Sequence, residues 1–442
     1  MNVPRQTVKK AILIVTIFLV VFLTHLASPM VTSFDSKWSI HIAMSILREG
    51  NTDLAEYKEL IQEDDYRIEK VDAHFYSIFA VGAPLLAVPF VYIYDKFFVD
   101  LDDRLKNTVP AGKIEKAIAS FIIALAAVFI YLIARLFLST RLSLLLVFIF
   151  AYCTSVWSTA SRALWQHGPS ILMLSITLYI ILLARRKPKL IQFASIPLAF
   201  SYVIRPTNNV SVFLLTLFVF IYYRKFFMKY LLLSLIIAIP FIAFNISVFN
   251  SILSPYYLGD LNGNFFSAAR TSEALLGHLI SPSRGLFIFT PVLLFSLWGI
   301  VLSIRRKNTE KLDYFLVGII VLHLLVSSLV FLWWGGHAFG PRYMSDMIPY
   351  FMYFLIPAIQ RMSVLKGMAK FVLVLIFIVL ILASFFIHYR GATNWDVYLW
   401  NSEPFNVEEK HERVWDWHDI QFLRGLNLSV NNYVHIPAGS TK

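Results

Sequence analysis

Long apolar stretches separated by short polar segments dominate the pattern of the chain. Most approach the roughly 17 to 25 residues that a helix needs to cross a bilayer. They fall near residues 11–28, 117–136, 142–159, 167–184, 190–204, 208–223, 229–248, 285–304, 312–333, 343–360 and 370–388. The pattern therefore predicts an all-α polytopic membrane protein with about eleven transmembrane helices.

One further apolar stretch, residues 77–94, decides the predicted topology. Gly82, Pro84 and Pro89 interrupt it, which favours a broken helix at the membrane surface over a regular span. If it does not cross, the basic groups between the later stretches all face the cytoplasm together with the N-terminus, as the positive-inside rule requires. We therefore expect a cytoplasmic N-terminus and an extracytoplasmic C-terminus.

The predicted topology divides the chain into a transmembrane module, residues 1–388, and an extracytoplasmic tail, residues 389–442. The first outer loop, about 30–116, is rich in acidic residues. It holds a second surface helix near 37–49, where apolar residues recur at helical spacing. A late outer loop covers about 249–284. We expect the chemistry in these outer segments.

Composition supports the membrane assignment. Of 442 residues, 58% are hydrophobic and 15% are charged, which is too apolar for an ordinary soluble domain. The formal net charge of +12 comes from short basic runs between apolar stretches, so it indicates topology and not a nucleic-acid partner. The single cysteine, Cys153, excludes an intramolecular disulfide. The sequence contains neither a Walker loop nor a dinucleotide glycine fingerprint.

Asp35 is the strongest candidate for chemistry. It lies just beyond the first predicted span, in Ser33-Phe34-Asp35-Ser36, where a carboxylate held at the membrane surface can take a proton from a hydroxyl. The alternative is structural, because aspartate before an apolar helix is a favoured N-cap. Position alone leaves both roles open.

Other polar candidates share the predicted outer face and lie in turns or at helix ends. They are His167, Arg205, Arg284, His337, Arg342 and Asp346. Arginine suits phosphate binding because it presents fixed donors and a permanent charge. The alternative for each arginine is snorkelling to the lipid headgroups. The two histidines lack the helical spacing of a zinc site, so we expect them to bond substrate.

Several of these segments resemble the GT-C superfamily of polytopic glycosyltransferases, in particular the group of bacterial protein mannosyltransferases and aminoarabinose transferases. The order of elements is similar along nearly the whole chain. The matching segments are Phe34-Asp35-Ser36, 43–50, 76–89 as a second surface helix, 281–287, 334–343 and Trp415-Asp416-Trp417. The resemblance implies a GT-C-like helical bundle in a bacterial plasma membrane.

The resemblance also implies an activity. A sugar would pass from a polyprenyl-phosphate donor, with inversion, to a hydroxyl of a glycan, lipid or protein acceptor outside the cell, with Asp35 as general base. Donor-binding candidates would be Arg205, Arg284, Arg342, Lys70, His74 and Tyr76, and substrate contacts would be His167, His337 and Asp346. Ser36 stands where many relatives have a second acid, so the sequence assigns no metal ligand, although a divalent metal is compatible with the family. The alternative function is a transporter or flippase of lipid-linked sugar, with the same arginines lining a path.

Overall fold

The computed structural model describes residues 5–98, 101–105, 108–258, 270–307 and 309–426, and it is almost entirely helical there. The helices are α1 (Arg5–Ala27), α2 (Ser39–Arg48), α3 (Gly82–Phe97), α4 (Leu101–Arg104), α5 (Thr108–Arg135), α6 (Thr140–Tyr152), α7 (His167–Ala184), α8 (Ser195–Ile204), α9 (Asn209–Tyr222), α10 (Arg224–Phe249), α11 (Pro255–Leu258), α12 (Thr271–Ile280), α13 (Leu286–Phe289), α14 (Leu294–Ile304), α15 (Lys311–Ser328), α16 (Ile348–Val364), α17 (Gly367–Thr393) and α18 (Asp396–Leu399). Short 3₁₀ turns join several of them.

Six helices of the described chain are long and apolar enough to cross a membrane: α1, α5, α7, α10, α15 and α17. Four shorter apolar helical segments cover Thr140–Tyr152, Pro188–Ile204, Pro206–Tyr222 and Pro291–Ile304. These elements coincide with ten of the predicted stretches, and α16 coincides with the remaining one. The helical membrane fold is therefore confirmed, whereas the count of about eleven spans stays a prediction.

The core of the bundle forms around α16. Nearly all of its side chains are buried, as expected of a helix that is apolar on every side. It packs most extensively against α14. At their crossing, a Cβ atom on Gly299 would lie 1.7 Å from the carbonyl oxygen of Phe354. Only glycine allows the two backbones to approach this closely.

The segment predicted as the first outer loop packs on the helical bundle, with α2 against α5 and α3 against α8. In it α2 packs along α3, so the predicted surface helices near 37–49 and 77–94 both exist. The second begins later than predicted, at Gly82. The preceding residues form an antiparallel hairpin of β1 (Ile68–Val71) and β2 (His74–Ser77), with Ile68 opposite Ser77. This hairpin corrects the prediction of helix from residue 77.

The described part of the tail packs back onto the bundle. Its residues Trp400, Val407 and Val414 form a buried cluster with Trp333 and Trp334 of the turn after α15. Residues 427–442 of the predicted tail and 259–269 of the predicted late outer loop lie outside the described residues. Asn406 of the tail bonds His337, which directly follows the Gly335–Gly336 turn and precedes the candidate residue Arg342 by five positions.

Candidate functional site

Asp35 lies in the loop between α1 and α2 and makes no cap. Helix α2 begins at Ser39, and no side chain caps its N-terminus. Instead, Oδ1 of Asp35 accepts a hydrogen bond from the Tyr66 hydroxyl at 2.9 Å, and Oδ2 lies 2.5 Å from an Nη atom of Arg342. The alternative role as an N-cap is therefore wrong. The carboxylate keeps 22% of its side-chain surface exposed.

The charge state of Asp35 follows from these partners. Burial by itself raises its pKa, but the Arg342 guanidinium and the Tyr66 hydroxyl outweigh burial and hold the pKa of Asp35 below its ordinary value. Burial and the adjacent carboxylate raise the pKa of Tyr66, which therefore stays a donor. At neutral pH Asp35 is an ionised carboxylate, the form that a general base requires.

Arg342 holds its position through several contacts besides Asp35. One Nη atom donates to the Gly335 carbonyl at 3.2 Å, and the guanidinium lies 4.5 Å from the ring centre of Trp165. Its Nε atom is buried and has no hydrogen-bond partner among the residues that the structure describes. A buried donor in this state is costly unless a ligand or water accepts from it.

A second charged cluster lies beside the first. Arg205 follows α8, His167 begins α7 and Asp346 lies in the 3₁₀ turn before α16. Nε of Arg205 is 2.9 Å from Oδ2 of Asp346, and Nδ1 of His167 is 3.3 Å from the same oxygen. An Nη atom of Arg205 approaches Nε2 of His167 at 3.4 Å. Because Arg205 can only donate, this pattern requires the neutral His167 tautomer with its proton on Nδ1.

Both clusters face one cavity between α2, α3 and the turn before α7. Its lining combines charged and apolar groups: Asp35, Ser36, Ser39, Ile42, Ser77, Phe79, Ala80, Ala83, Pro84, Leu164, Trp165, Gln166, His167, Arg205, Tyr256 and Arg342. The structure thus brings together Asp35, His167, Arg205 and Arg342, with Asp346 directly behind them. A carboxylate and two guanidiniums meet there at the ends of several helices.

The polar cavity is linked to an apolar groove by residues that line neighbouring cavities. A smaller cavity shares Ile42, Ser77, Phe79 and Ala80 with it. That cavity in turn shares Thr52, Tyr76, Val81, Phe241 and Phe244 with the groove. The groove has an empty volume of about 1230 Å³, including its open part.

The groove is bounded by α2, α3, α8 and α10. Apolar side chains form most of its wall, including Ile46, Leu85, Phe200, Val203, Ile236, Ile237, Phe241, Phe244 and Val248. Only 11% of the apolar window of α10 is buried. The groove therefore lies beside the least buried of the six long helices.

Arg284, a predicted donor-binding residue, lies elsewhere. Its guanidinium is buried and donates to the carbonyls of Trp334, Gly336 and Ser283 and to the side chains of Gln421 and Asn401. All five of its N–H donors are thereby engaged within the protein. Arg284 anchors the tail to the turn after α15 and is not available to a phosphate in this structure.

The other predicted residues outside the cavity have structural contacts. His337 bonds the side chain of Asn406 at 2.9 Å, so it too joins the tail. His74 pairs with Asp53, and Lys70 is exposed on β1; neither lines the polar cavity. Tyr76 lines the apolar groove instead. The structure therefore separates these four residues from the charged clusters.

The sequence did not indicate three residues of the site, Tyr66, Tyr256 and Glu115. Glu115 lies on α5 and accepts hydrogen bonds from Ser33 and Ser36 beside Asp35. Tyr66 stands in an acidic loop with no pattern around it, and Tyr256 reaches the cavity from the late outer loop. Within the described ranges, no group of three or more His, Cys, Asp or Glu residues is arranged to hold a metal ion. The chemistry of the cavity is that of one accessible carboxylate among arginine donors.

Comparison of the sequence with protein-family models and with curated proteins found no match. The geometry of the cavity and groove is therefore the basis for assigning a function. An ionised carboxylate and two guanidiniums beside an apolar groove can bind an anionic group and accept a proton.

Proposed function

We propose that the chain is an inverting membrane glycosyltransferase, which moves a sugar from a polyprenyl-phosphate donor to an acceptor hydroxyl on the extracytoplasmic face. The observation that carries this proposal is the set of shared lining residues that links the polar cavity, through a small intermediate cavity, to the apolar groove beside α10. A phosphate-linked sugar on a long hydrocarbon chain has the same chemical division, with a charged polar head and an apolar tail. The hydrocarbon chain of the donor would lie along the apolar groove, while its phosphate and sugar would lie in the polar cavity.

The arginines of the cavity supply donors for the phosphate. Arg342 and Arg205 both line it, and the buried Nε of Arg342 has no hydrogen-bond partner in the described part of the chain. As the glycosidic bond breaks, negative charge develops on the phosphate oxygen that leaves. Guanidinium donors stabilise that charge.

Asp35 is the general base in this proposal. The acceptor oxygen attacks the anomeric carbon, the bond from that carbon to the phosphate oxygen breaks, and its electron pair stays with the phosphate. The acceptor's proton passes to Asp35. Attack on the face opposite the leaving phosphate inverts the anomeric centre.

Donor binding would also activate the base. Arg342 contacts Asp35 in this structure, and a phosphate that draws the guanidinium toward itself weakens that ion pair. The carboxylate then becomes a stronger proton acceptor because the neighbouring positive charge is shared. The base is therefore strongest when the donor is present.

Transfer from radiolabelled polyprenyl-phosphate sugars tests the proposal, with purified protein in lipid nanodiscs. We expect Asp35→Asn to lower transfer by about 10² to 10⁴, the usual contribution of a general base. Asp72→Asn, which changes an exposed acid of the same outer loop, should retain full activity. Full transfer by Asp35→Asn would remove the base assigned here. If the protein moves the lipid-linked donor across a liposome membrane but does not transfer its sugar to an acceptor, the transporter alternative is favoured.

A further inference from the structure

Glu115, on α5, is fully buried and connects two loops of the site. Its Oε1 atom accepts from the Ser33 hydroxyl at 2.5 Å, and its Oε2 atom accepts from the Ser36 hydroxyl at 2.5 Å. Oε2 also accepts from the backbone N–H of Leu164 at 3.3 Å. One side chain therefore binds the loop after α1 and the loop before α7.

The three donors bracket the residues of the cavity. Ser33 and Ser36 stand on either side of Asp35 along the chain, so both ends of that short loop are fixed to the same carboxylate. Leu164 is followed by Trp165, whose ring lies beside the Arg342 guanidinium. The Trp165 Nε1 atom also donates to the Thr32 carbonyl at 2.6 Å. Glu115 thus fixes the position of Asp35 and also that of Trp165, the ring that lies beside Arg342.

Glu115 takes no direct part in the chemistry, because it does not line the polar cavity. In the part of the chain that the structure describes, it forms no ion pair. Burying a carboxylate without a cation is costly, and the cost is offset here by three neutral hydrogen bonds. Those bonds are also what restricts the two loops.

We propose that Glu115 is a positioning residue, which fixes the distance and direction of Asp35 relative to Arg342 and Trp165. Its effect on transfer rests on the function proposed above. Its effect on the two loops does not, because that effect follows from the hydrogen bonds alone. A displacement of a catalytic group by about 1 Å lowers a rate by about 10².

Two substitutions separate positioning from general stability. Glu115→Ala removes all three bonds, and we expect kcat to fall about 10²-fold with the donor KM changed by less than about threefold. Glu115→Gln can keep the bonds, because its carbonyl accepts from Ser36 and Leu164 while its amide donates to Ser33. We expect this variant to stay within about tenfold of wild-type kcat, since a conserved set of bonds preserves the geometry.

The effect of Glu115→Ala is then measured in the Asp35→Asn background. A residue that acts through Asp35 has little further effect once that carboxylate is gone, so the two losses should not add. Equal losses in both backgrounds would overturn the positioning role. So would a Glu115→Gln variant as inactive as Glu115→Ala.

Hydrogen exchange of the same proteins gives a readout that needs no activity. Glu115→Ala should raise amide exchange in residues 30–38 and 161–168. Asp313→Asn, at a buried carboxylate of α15 that accepts from Tyr353, should leave both loops unchanged. Unchanged exchange in Glu115→Ala would overturn the inference. If Glu115→Ala raises exchange in both loops but the wild-type protein transfers no sugar, the positioning contacts of Glu115 are supported and the proposed function is refuted.

Discussion

At the scale of single residues, the site depends on the contact between Asp35 and Arg342. The two residues lie 307 positions apart in sequence. Arg342 lowers the pKa of Asp35, and Asp35 raises the pKa of Arg342. Arg342 keeps the carboxylate ionised, while Asp35 keeps the guanidinium directed toward the cavity. The planar guanidinium also bonds Gly335, a pair of contacts that a lysine cannot reproduce.

Removing Arg342 should shift the pH dependence of transfer. In the wild type the pKa of Asp35 lies below its ordinary value of 3.8, so transfer should stay constant through mildly acidic pH and fall only when the carboxylate protonates. In Arg342→Gln the raising effect of burial is no longer outweighed by a cation, so the acidic limb should move to higher pH. The measurement is kcat/KM against pH for both proteins, because this ratio reports the pKa of Asp35 in the free enzyme, where Arg342 contacts it.

Arg205→Gln provides the comparison for that measurement. It removes a cation that contacts Asp346 and not Asp35. Its acidic limb should therefore stay close to that of the wild type, although its activity falls. An acidic limb that does not move in Arg342→Gln would contradict the electrostatic account of Asp35.

Some site residues could be predicted from the sequence and others could not. Asp35, His167, Arg205 and Arg342 were found because polar residues at the outer ends of apolar helices are few and the topology places them on one face. Arg284 satisfied the same rule, yet its partners Asn401 and Gln421 lie more than 100 residues away in the tail. Nothing local in the sequence indicates such a contact.

At the scale of elements, the close crossing of α14 and α16 fixes the core beneath the site. Residue 348, which begins α16, directly follows the turn that carries Arg342 and Asp346. The long helix α7 was predicted with its observed bounds because it is a continuous apolar run. The hairpin of β1 and β2 was missed because its strands have only four residues each and neither shows the apolar–polar alternation typical of a strand.

Gly299→Ala should destabilise the protein through that crossing. The added Cβ would meet the Phe354 carbonyl at 1.7 Å, so the two helices must separate, at a cost of about 1–3 kcal/mol or more. Gly318→Ala on α15 is the matched control, because its nearest neighbour is a leucine methyl at 3.4 Å. Thermal unfolding in detergent should show a lower melting temperature for Gly299→Ala alone. Equal melting temperatures would refute the close crossing.

At the scale of the whole molecule, the account requires the first outer loop, the cavity and the tail to share one side of the membrane. The structure places the tail against the turn after α15 and the first outer loop around the same cavity. It contains six helices long enough to span. The side of the membrane that each end faces is set by our prediction that 77–94 does not cross.

Cysteine labelling tests this topology. In a Cys153→Ser background, single cysteines at the exposed positions Asp72→Cys and Glu408→Cys should react with a membrane-impermeant thiol reagent in intact cells. Arg186→Cys, exposed in the basic run after α7, should react only after the membrane is opened. Labelling of Arg186→Cys in intact cells would show that the segment 77–94 crosses.

The most direct test of the central claim is the configuration of the new glycosidic bond. Purified wild-type protein is given a polyprenyl-phosphate sugar of known anomeric configuration together with candidate acceptors, and the product is analysed by NMR. The account predicts transfer with inverted configuration, which Asp35→Asn abolishes while Asp72→Asn does not. Retained configuration, or full transfer by Asp35→Asn, would contradict it.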